Sequence, residues 1–160
     1  MSALHIMCVD DQRSVLSALQ KDLAIFANDF EITVCESAHE AMEVINELDA
    51  DGEAVAVLIC DHIMPNRNGI DFMIDLSHDE RFHHIKTILL TGLATHQDTI
   101  VAINKARIDH YLEKPWNRDE LVATVKTLLT EYIFDTGLDY NNYKPYLDQN
   151  VFLKRMHNSH

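Results

Sequence analysis

Short apolar runs alternate with longer amphipathic stretches along most of the chain, and few folds accept that alternation. Runs of four to six residues, apolar enough to be covered on both faces, suit the inner strands of a parallel sheet, and the amphipathic stretches between them suit crossover helices. Five such strands are read at Leu4–Val9, Glu31–Cys35, Val55–Cys60, Thr87–Leu90 and His110–Glu113. Between them, Val15, Leu16, Leu19 and Leu23 recur at helical spacing, as do Met42, Val44, Ile45 and Leu48, and later Leu121, Val125, Leu128 and Leu129. Ser37 with Glu40, and Asn117 with Glu120, carry the side chains that satisfy the free N–H groups of a first helical turn. A third helix is expected from Gly69 and a fourth after Thr95 with Ile100, Val101 and Ile103. The expected fold is α/β: a doubly wound five-stranded parallel sheet in (βα)5 order with a C-terminal extension.

Charge and composition then exclude several functions. Thirteen basic against 26 acidic side chains leave a net charge of -13, the wrong sign for holding nucleic acid through its phosphates. Cys8, Cys35 and Cys60 form no CxxC pair, so neither a zinc site nor a disulfide framework is suggested, and buried thiols in a reducing compartment are expected. No run of about 18 apolar residues could cross a membrane, and Met1 to Val9 lacks a basic start followed by a signal-type stretch. A cytoplasmic domain without membrane contact is the expectation.

In a doubly wound sheet, ligands bind beyond the carboxyl ends of the strands. At that edge the first strand delivers Asp10 and Asp11, the third Asp61, the fourth Thr91, and the fifth Lys114 followed by Pro115. Taken singly, each has a bland reading: Asp10 or Asp11 as a helix cap, Thr91 as a turn residue, Lys114 as a solvated charge, and Pro65 and Gly69 as punctuation. Taken together they place three carboxylates, a hydroxyl and an ammonium on one edge. Clustered carboxylates repel, and a divalent cation or a bound proton relieves the repulsion. Oxygen ligands from a few carboxylates, with waters and phosphate oxygens completing the shell, describe Mg2+. Phosphoryl transfer needs positioning and charge neutralisation above all, so Asp61 could accept a phosphoryl group.

The segments Cys-Val-Asp10-Asp11, Cys-Asp61-His62-Ile63-Met64-Pro65 through Gly69, Leu-Leu-Thr91-Gly92 and Tyr111-Leu-Glu-Lys114-Pro115-Trp116 resemble the receiver domain of two-component response regulators, with its flavodoxin-like fold, over roughly residues 3–131. The resemblance implies that Asp61 is the phosphoacceptor, served by a histidine kinase or phosphotransfer protein. It implies that Asp11, Asp61 and the main-chain carbonyl of Ile63 hold Mg2+, with Asp10 acting through water. Lys114 and Thr91 would contact phosphoryl oxygens, and Tyr111 would turn inward when Thr91 moves. The fourth helix, fifth strand and fifth helix would carry the change to a downstream output domain or protein. His62, Met64, Pro65, Gly92, Leu93 and Pro115 would line the site, with Gly92 leaving the entrance open. Ile63 and Leu93 flank the path of attacking water and are apolar, so slow self-dephosphorylation is expected. His78, His83 and His84 read as solvated, and Trp116 as a packed aromatic.

Two other readings compete. Haloacid-dehalogenase-like phosphatases also combine an aspartate nucleophile with Mg2+, Thr or Ser, and Lys, but they need a second Asp two residues after the nucleophile, where this chain has Ile63. The Thr-Gly and Lys-Pro-Trp combination also looks like receivers placed before cyclic-dinucleotide phosphodiesterase or kinase modules, so an excised input domain is the second alternative.

Residues 132–160 differ from the receiver-like part, 1–131. They hold six of the twelve aromatics and three charges of each sign, so the whole acidity belongs to 1–131. Gly137 is placed to stop the fifth helix, and Asp148 or Asn150 to cap a last one holding Val151, Phe152 and Met156. The aromatic surface is expected to be buried against its own domain or in a second subunit, and a homodimer through the fifth helix and this extension is the preferred expectation.

Overall fold

The computed structural model describes residues 3–92 and 97–158, with the backbone alone at 98, 99 and 102. The elements follow in the order β1 (Leu4–Val9), α1 (Arg13–Asp22), a 3-10 turn (Ala24–Phe26), β2 (Glu31–Cys35), α2 (Ala38–Ala50), β3 (Ala54–Asp61), α3 (Gly69–Ser77), β4 (Lys86–Thr91), α4 (Gln97–Ala106), β5 (His110–Glu113), α5 (Arg118–Asp135), a 3-10 segment (Tyr140–Tyr146) and α6 (Gln149–Asn158). The five strands form one parallel sheet in the order β2-β1-β3-β4-β5. The chain therefore reverses its winding between β1 and β3, and the crevice at that reversal is where such sheets bind ligands.

The side-chain period of two splits the strands between two cores. Ile6, Cys8, Val57, Ile59, Ile88 and Leu90 face α1 and α5, meeting Leu16, Leu19, Leu121, Val125 and Leu129. Met7, Val9, Cys35, Leu58, Cys60 and Leu89 face the other way, toward Ala41 and Ile45 of α2 and Phe72 and Met73 of α3. Each large apolar side chain so enclosed contributes about 1.5–3 kcal/mol relative to an exposed one. The three cysteines are free and buried, and burial pushes the Cys8 and Cys35 thiols up to about 12, so they act as small apolar residues.

Caps fall where the side chains demand them. Ser37 Oγ accepts from the Glu40 N–H at 3.1 Å, Asn68 Oδ1 from Asp71 at 2.8 Å, and Asn117 Oδ1 from Glu120 at 3.0 Å. Strands β3 and β4 are longer than the apolar runs that announce them. Polar Lys86 pairs in register with Val57, and Thr91 with Glu113, because the backbone ladder continues past the last apolar residue.

Helix α5 runs unbroken through residue 131 to Asp135. It ends at Gly137, whose φ of 71° lets the Leu138 N–H reach back to the Ile133 carbonyl at 3.1 Å. The chain then folds back on its own domain. Tyr143 stacks on Phe30 at 5.8 Å between centroids, and Tyr146 meets Phe30 edge-on at 5.0 Å and Phe26 at 5.8 Å. Tyr146 donates its hydroxyl to Asp29. Asp148 donates its N–H to Thr130 Oγ1 and accepts from Thr127 Oγ1 and from the Asn150 and Val151 N–H groups, which fixes the start of α6 on α5. Further along, Arg155 reaches Glu131 and Asp135, and Asp135 also holds Lys86 at 2.7 Å. Of the two uses expected for this aromatic surface, Tyr143 and Tyr146 show the intramolecular one. Leu138 and Leu153 of the same segment remain exposed.

Candidate functional site

The carboxyl ends of β1, β3, β4 and β5 bring Asp10, Asp11, Asp61, Thr91 and Lys114 to one edge of the sheet. Register explains it: Val9 lies level with Cys60, so Asp10 and Asp61 emerge side by side; Asp61 lies level with Leu90 and Thr91 with Glu113, so Thr91 and then Lys114 follow one residue further along each neighbouring strand. The loops are tied together by their backbones. The Asp10 N–H donates to the Cys35 carbonyl at 3.1 Å, His62 N–H to Leu90 at 3.1 Å, and Lys114 N–H to Thr91 at 3.2 Å.

Lys114 is the centre of the site. Its Nζ lies 2.8 Å from Oδ2 of Asp10 and 2.8 Å from Oδ1 of Asp61. Asp10 is fully buried, and its other oxygen accepts the Gln12 N–H at 2.8 Å. It thus holds the loop leading into α1, while the cap position itself falls to Gln12, which makes no side-chain cap bond. Asp11 is exposed beside them, and one oxygen from each of Asp10, Asp11 and Asp61 fits within a 4.8 Å cluster. Among the described residues this is the one cluster of potential metal ligands.

Three carboxylates face a single ammonium, and the protonation behaviour reflects that surplus. Burial pushes Asp61 above the usual carboxylate range; the Lys114 hydrogen bond opposes this, and the charges of Asp10 and Asp11 add to it. Burial opposes the charge on Lys114, but its bonds to Asp10 and Asp61 outweigh that and hold its pKa above the ordinary value. Both shifts report a site short of positive charge. Hard oxygen donors in that number and spacing fit a hard divalent cation.

The other expected residues take varied places. Thr91 is buried at the end of β4. Ile63 projects into solvent, 62% exposed, and offers no proton-transferring group. Met64 is buried beneath the loop, whereas Pro65 and Pro115 are exposed. Gly92 is exposed, with nothing within 4 Å of where a Cβ would be. Leu93 lies outside the described residues. Tyr111 faces outward, 45% exposed, and stacks on His110. His62 is half-buried with its Nδ1 enclosed and without a hydrogen-bond partner, and burial lowers its pKa. His83 and His84 are exposed in their loop, with tilted rings 4.0 Å apart between centroids, as expected of residues outside the site.

Two contacts escape sequence reasoning. The first is Gly69, whose N–H donates to the His62 carbonyl at 2.8 Å, clasping the loop after Asp61. The second is Trp116, half-buried against the core and donating its indole N–H to Asp22 Oδ2 at 2.8 Å. No helix among the described residues is long and apolar enough to cross a membrane.

The hydrogenase transcriptional regulatory protein HoxA of Bradyrhizobium diazoefficiens is 30% identical over 127 residues, which are 79% of this chain and 24% of that protein. The transcriptional regulatory protein CpxR of Escherichia coli is 29% identical over 124 residues, 78% of this chain and 48% of that one. The chain thus spans from about a quarter to about half the length of these curated relatives. Among solved structures, the signal receiver domain of an HD domain-containing protein from Pseudomonas fluorescens has a TM-score of 0.72 at 22% identity, covering 86% of this chain and 94% of that one. The adenylate cyclase structure from Rhodopirellula baltica has a TM-score of 0.71 at 25% identity, with the same coverage. Residues 6–126 match the response regulator receiver domain as a family. The chain belongs to the family of response regulator receiver domains.

Proposed function

We propose that Asp61 takes up a phosphoryl group from a phosphohistidine of a histidine kinase or phosphotransfer protein, making the chain a phosphoaspartate switch of a two-component phosphorelay. The observation that carries this reading is Lys114 bridging Asp10 and Asp61 within a carboxylate cluster at the sheet edge. A carboxylate oxygen of Asp61 attacks phosphorus, the P–N bond breaks, and its electron pair stays on the departing imidazole. Lys114 meets the charge that accumulates on the phosphoryl oxygens, and Thr91, at the end of the adjacent strand, hydrogen-bonds one of them after transfer. Asp10, Asp11, Asp61 and the main-chain carbonyl of Ile63 would hold Mg2+, whose contribution when bound is to neutralise phosphoryl oxygens.

The phosphoaspartate then draws Thr91 and Lys114 toward it and alters the surface formed by α4, β5 and α5. Moving that surface from 1:99 to 99:1 requires about 5.5 kcal/mol of preference for the active arrangement. A few charge-assisted hydrogen bonds of about 1.5–3 kcal/mol each reach that sum. The chain catalyses only its own phosphorylation and dephosphorylation, in the cytoplasm, and passes the signal to an output module or partner protein. The exposed apolar side chain at Ile63 supports this over a hydrolase that needs an acid–base residue there.

Incubation with Mg2+ and acetyl phosphate, followed by intact mass, should add one phosphoryl group to wild type and none to Asp61→Asn. Chelation of the metal should suppress the label. A label surviving Asp61→Asn would move the acceptor elsewhere.

A further inference from the structure

The loop that carries Lys114 into the site has few anchors of its own. Pro115 is exposed and has no N–H to donate, so among the described residues three hydrogen bonds, besides the Lys114 ion pairs with Asp10 and Asp61, hold the chain between Lys114 and the start of α5. The Lys114 N–H binds the Thr91 carbonyl at 3.2 Å, the Asn117 side chain caps α5, and the Trp116 indole reaches across to α1. The first two bonds stay within the β4–β5–α5 part of the chain. Only the third ties this loop to the opposite helix, through Asp22, 94 residues away.

Asp22 is an unfavourable residue for its place. It is the last residue of α1, where the negative end of the helix dipole and the free carbonyls disfavour a carboxylate. It is also half-buried, and its partner is the N–H of a half-buried indole, a group that can only donate. A hydroxyl or amide would satisfy that indole without opposing the dipole, so a carboxylate suits a bond whose strength matters.

We propose that Asp22 is a positioning residue for the phosphoryl-accepting site, acting through Trp116 to hold the Lys114 loop so that Nζ stays between Asp10 and Asp61. This rests on the reading of Asp61 as phosphoacceptor. Lys114 can neutralise an incoming phosphoryl group only while its ammonium is held at the two carboxylates, and the Trp116 anchor lies two residues from it. Loss of that anchor lets the loop move away from α1.

The test is the rate of phosphorylation of the full chain by Mg2+ and acetyl phosphate, read by intact mass. Asp22→Ala and Trp116→Phe, which remove acceptor and donor in turn, should each slow labelling by about tenfold, well within the ~10²-fold that a 1 Å misplacement can cost. The double variant should be no slower than either single one. Asp22→Asn keeps an acceptor oxygen but not the charge, so its rate should fall between those of Asp22→Ala and wild type. In a Lys114→Ala background, Asp22→Ala should change nothing further, which a merely structural role would not reproduce. Trp116 is the only tryptophan, and its emission should shift with acetyl phosphate and Mg2+ in wild type and not in Asp22→Ala, deciding the matter even if that variant is less stable. Labelling of Asp22→Ala at the wild-type rate, or an equal loss in the Lys114→Ala background, overturns the proposal. A wild type that takes no label instead overturns the phosphoacceptor reading itself, and this positioning role with it.

Discussion

A Cβ on Gly69 would lie 2.1 Å from the carbonyl oxygen of Asp61, closer than any two such atoms can approach. The same phantom atom would sit 3.1 Å from Cys60 Sγ, so there is no direction in which it could retreat cheaply. The glycine that opens α3 therefore sets how closely the helix approaches the loop after Asp61.

Gly69→Ala should accordingly cost about 1–3 kcal/mol of stability, the usual penalty for overpacking a tight site. Because the displaced atoms are the backbone of Asp61 itself, it should also slow phosphoryl uptake by more than a stability loss of that size explains in a chain that stays folded. Denaturant unfolding and acetyl phosphate labelling, measured on the same variant, check both. Wild-type stability with a wild-type labelling rate would show that the loop yields freely.

Ile63 argues for a long-lived phosphoryl group. It stands two residues past Asp61, exposed, and has no atom that can orient water or take its proton. Replacing it by Asn supplies an amide that can orient water, so the Ile63→Asn phosphoprotein should lose its label faster than wild type. The gain should stay below the ~10²-fold that a positioned proton-transferring group supplies, since an amide takes no proton. Decay of the phosphorylated mass over time measures this, and an unchanged or longer lifetime in the variant would contradict it.

How legible was this site in the sequence? The acids, the threonine and the lysine are legible because their chemical types stand out at the ends of apolar runs, and strand ends of a parallel sheet share one edge. Ser37 and Asn117 are legible because a capping bond spans three residues. The Asp22–Trp116 bond is not, because a carboxylate on a helix end reads as solvated and nothing local links residues 94 positions apart. Gly69 reads as helix punctuation, since sequence carries no information on the backbone that approaches it. The aromatics of the extension announce burial but not its direction, which depends on Phe26 and Phe30 being left uncovered between α1 and β2.

That docking makes the extension part of the domain's stability. Tyr146→Phe removes the hydrogen bond to Asp29 while keeping the ring on Phe26 and Phe30, and should cost about 1 kcal/mol, the net value of a typical bond of this kind. Removing residues 136–160 also uncovers Phe26 and Phe30, both buried in the intact chain, and should cost several-fold more. Thermal unfolding of the three chains should rank them in that order. A truncated chain as stable as the intact one would mean that the extension rests on the domain without stabilising it.

The extension should also have its own pH window, set by groups remote from the acid cluster. Asp148 is held below the usual carboxylate range, first by the Thr127 hydroxyl and then, against burial, by the Val151 and Asn150 N–H groups and the Lys126 charge. Burial pulls Asp135 upward, but hydrogen bonds from Lys86 and Arg155 outweigh it and leave that group low as well. A depressed folded pKa means stability that is present above the unfolded value, about 4, and lost as pH falls through the folded one. On the alkaline side, the Asp29 bond and then burial raise Tyr146, and burial raises Tyr143, so the neutral phenols favour docking. Their contribution is complete below about pH 10 and disappears as pH rises through the raised values. Amide exchange of α6 should therefore show full protection near neutrality and loss at both extremes. Asp148→Asn, which keeps an acceptor oxygen without titrating, should weaken the acid limb and leave the alkaline one in place; an unaltered acid limb in that variant would show that Asp148 does not set it.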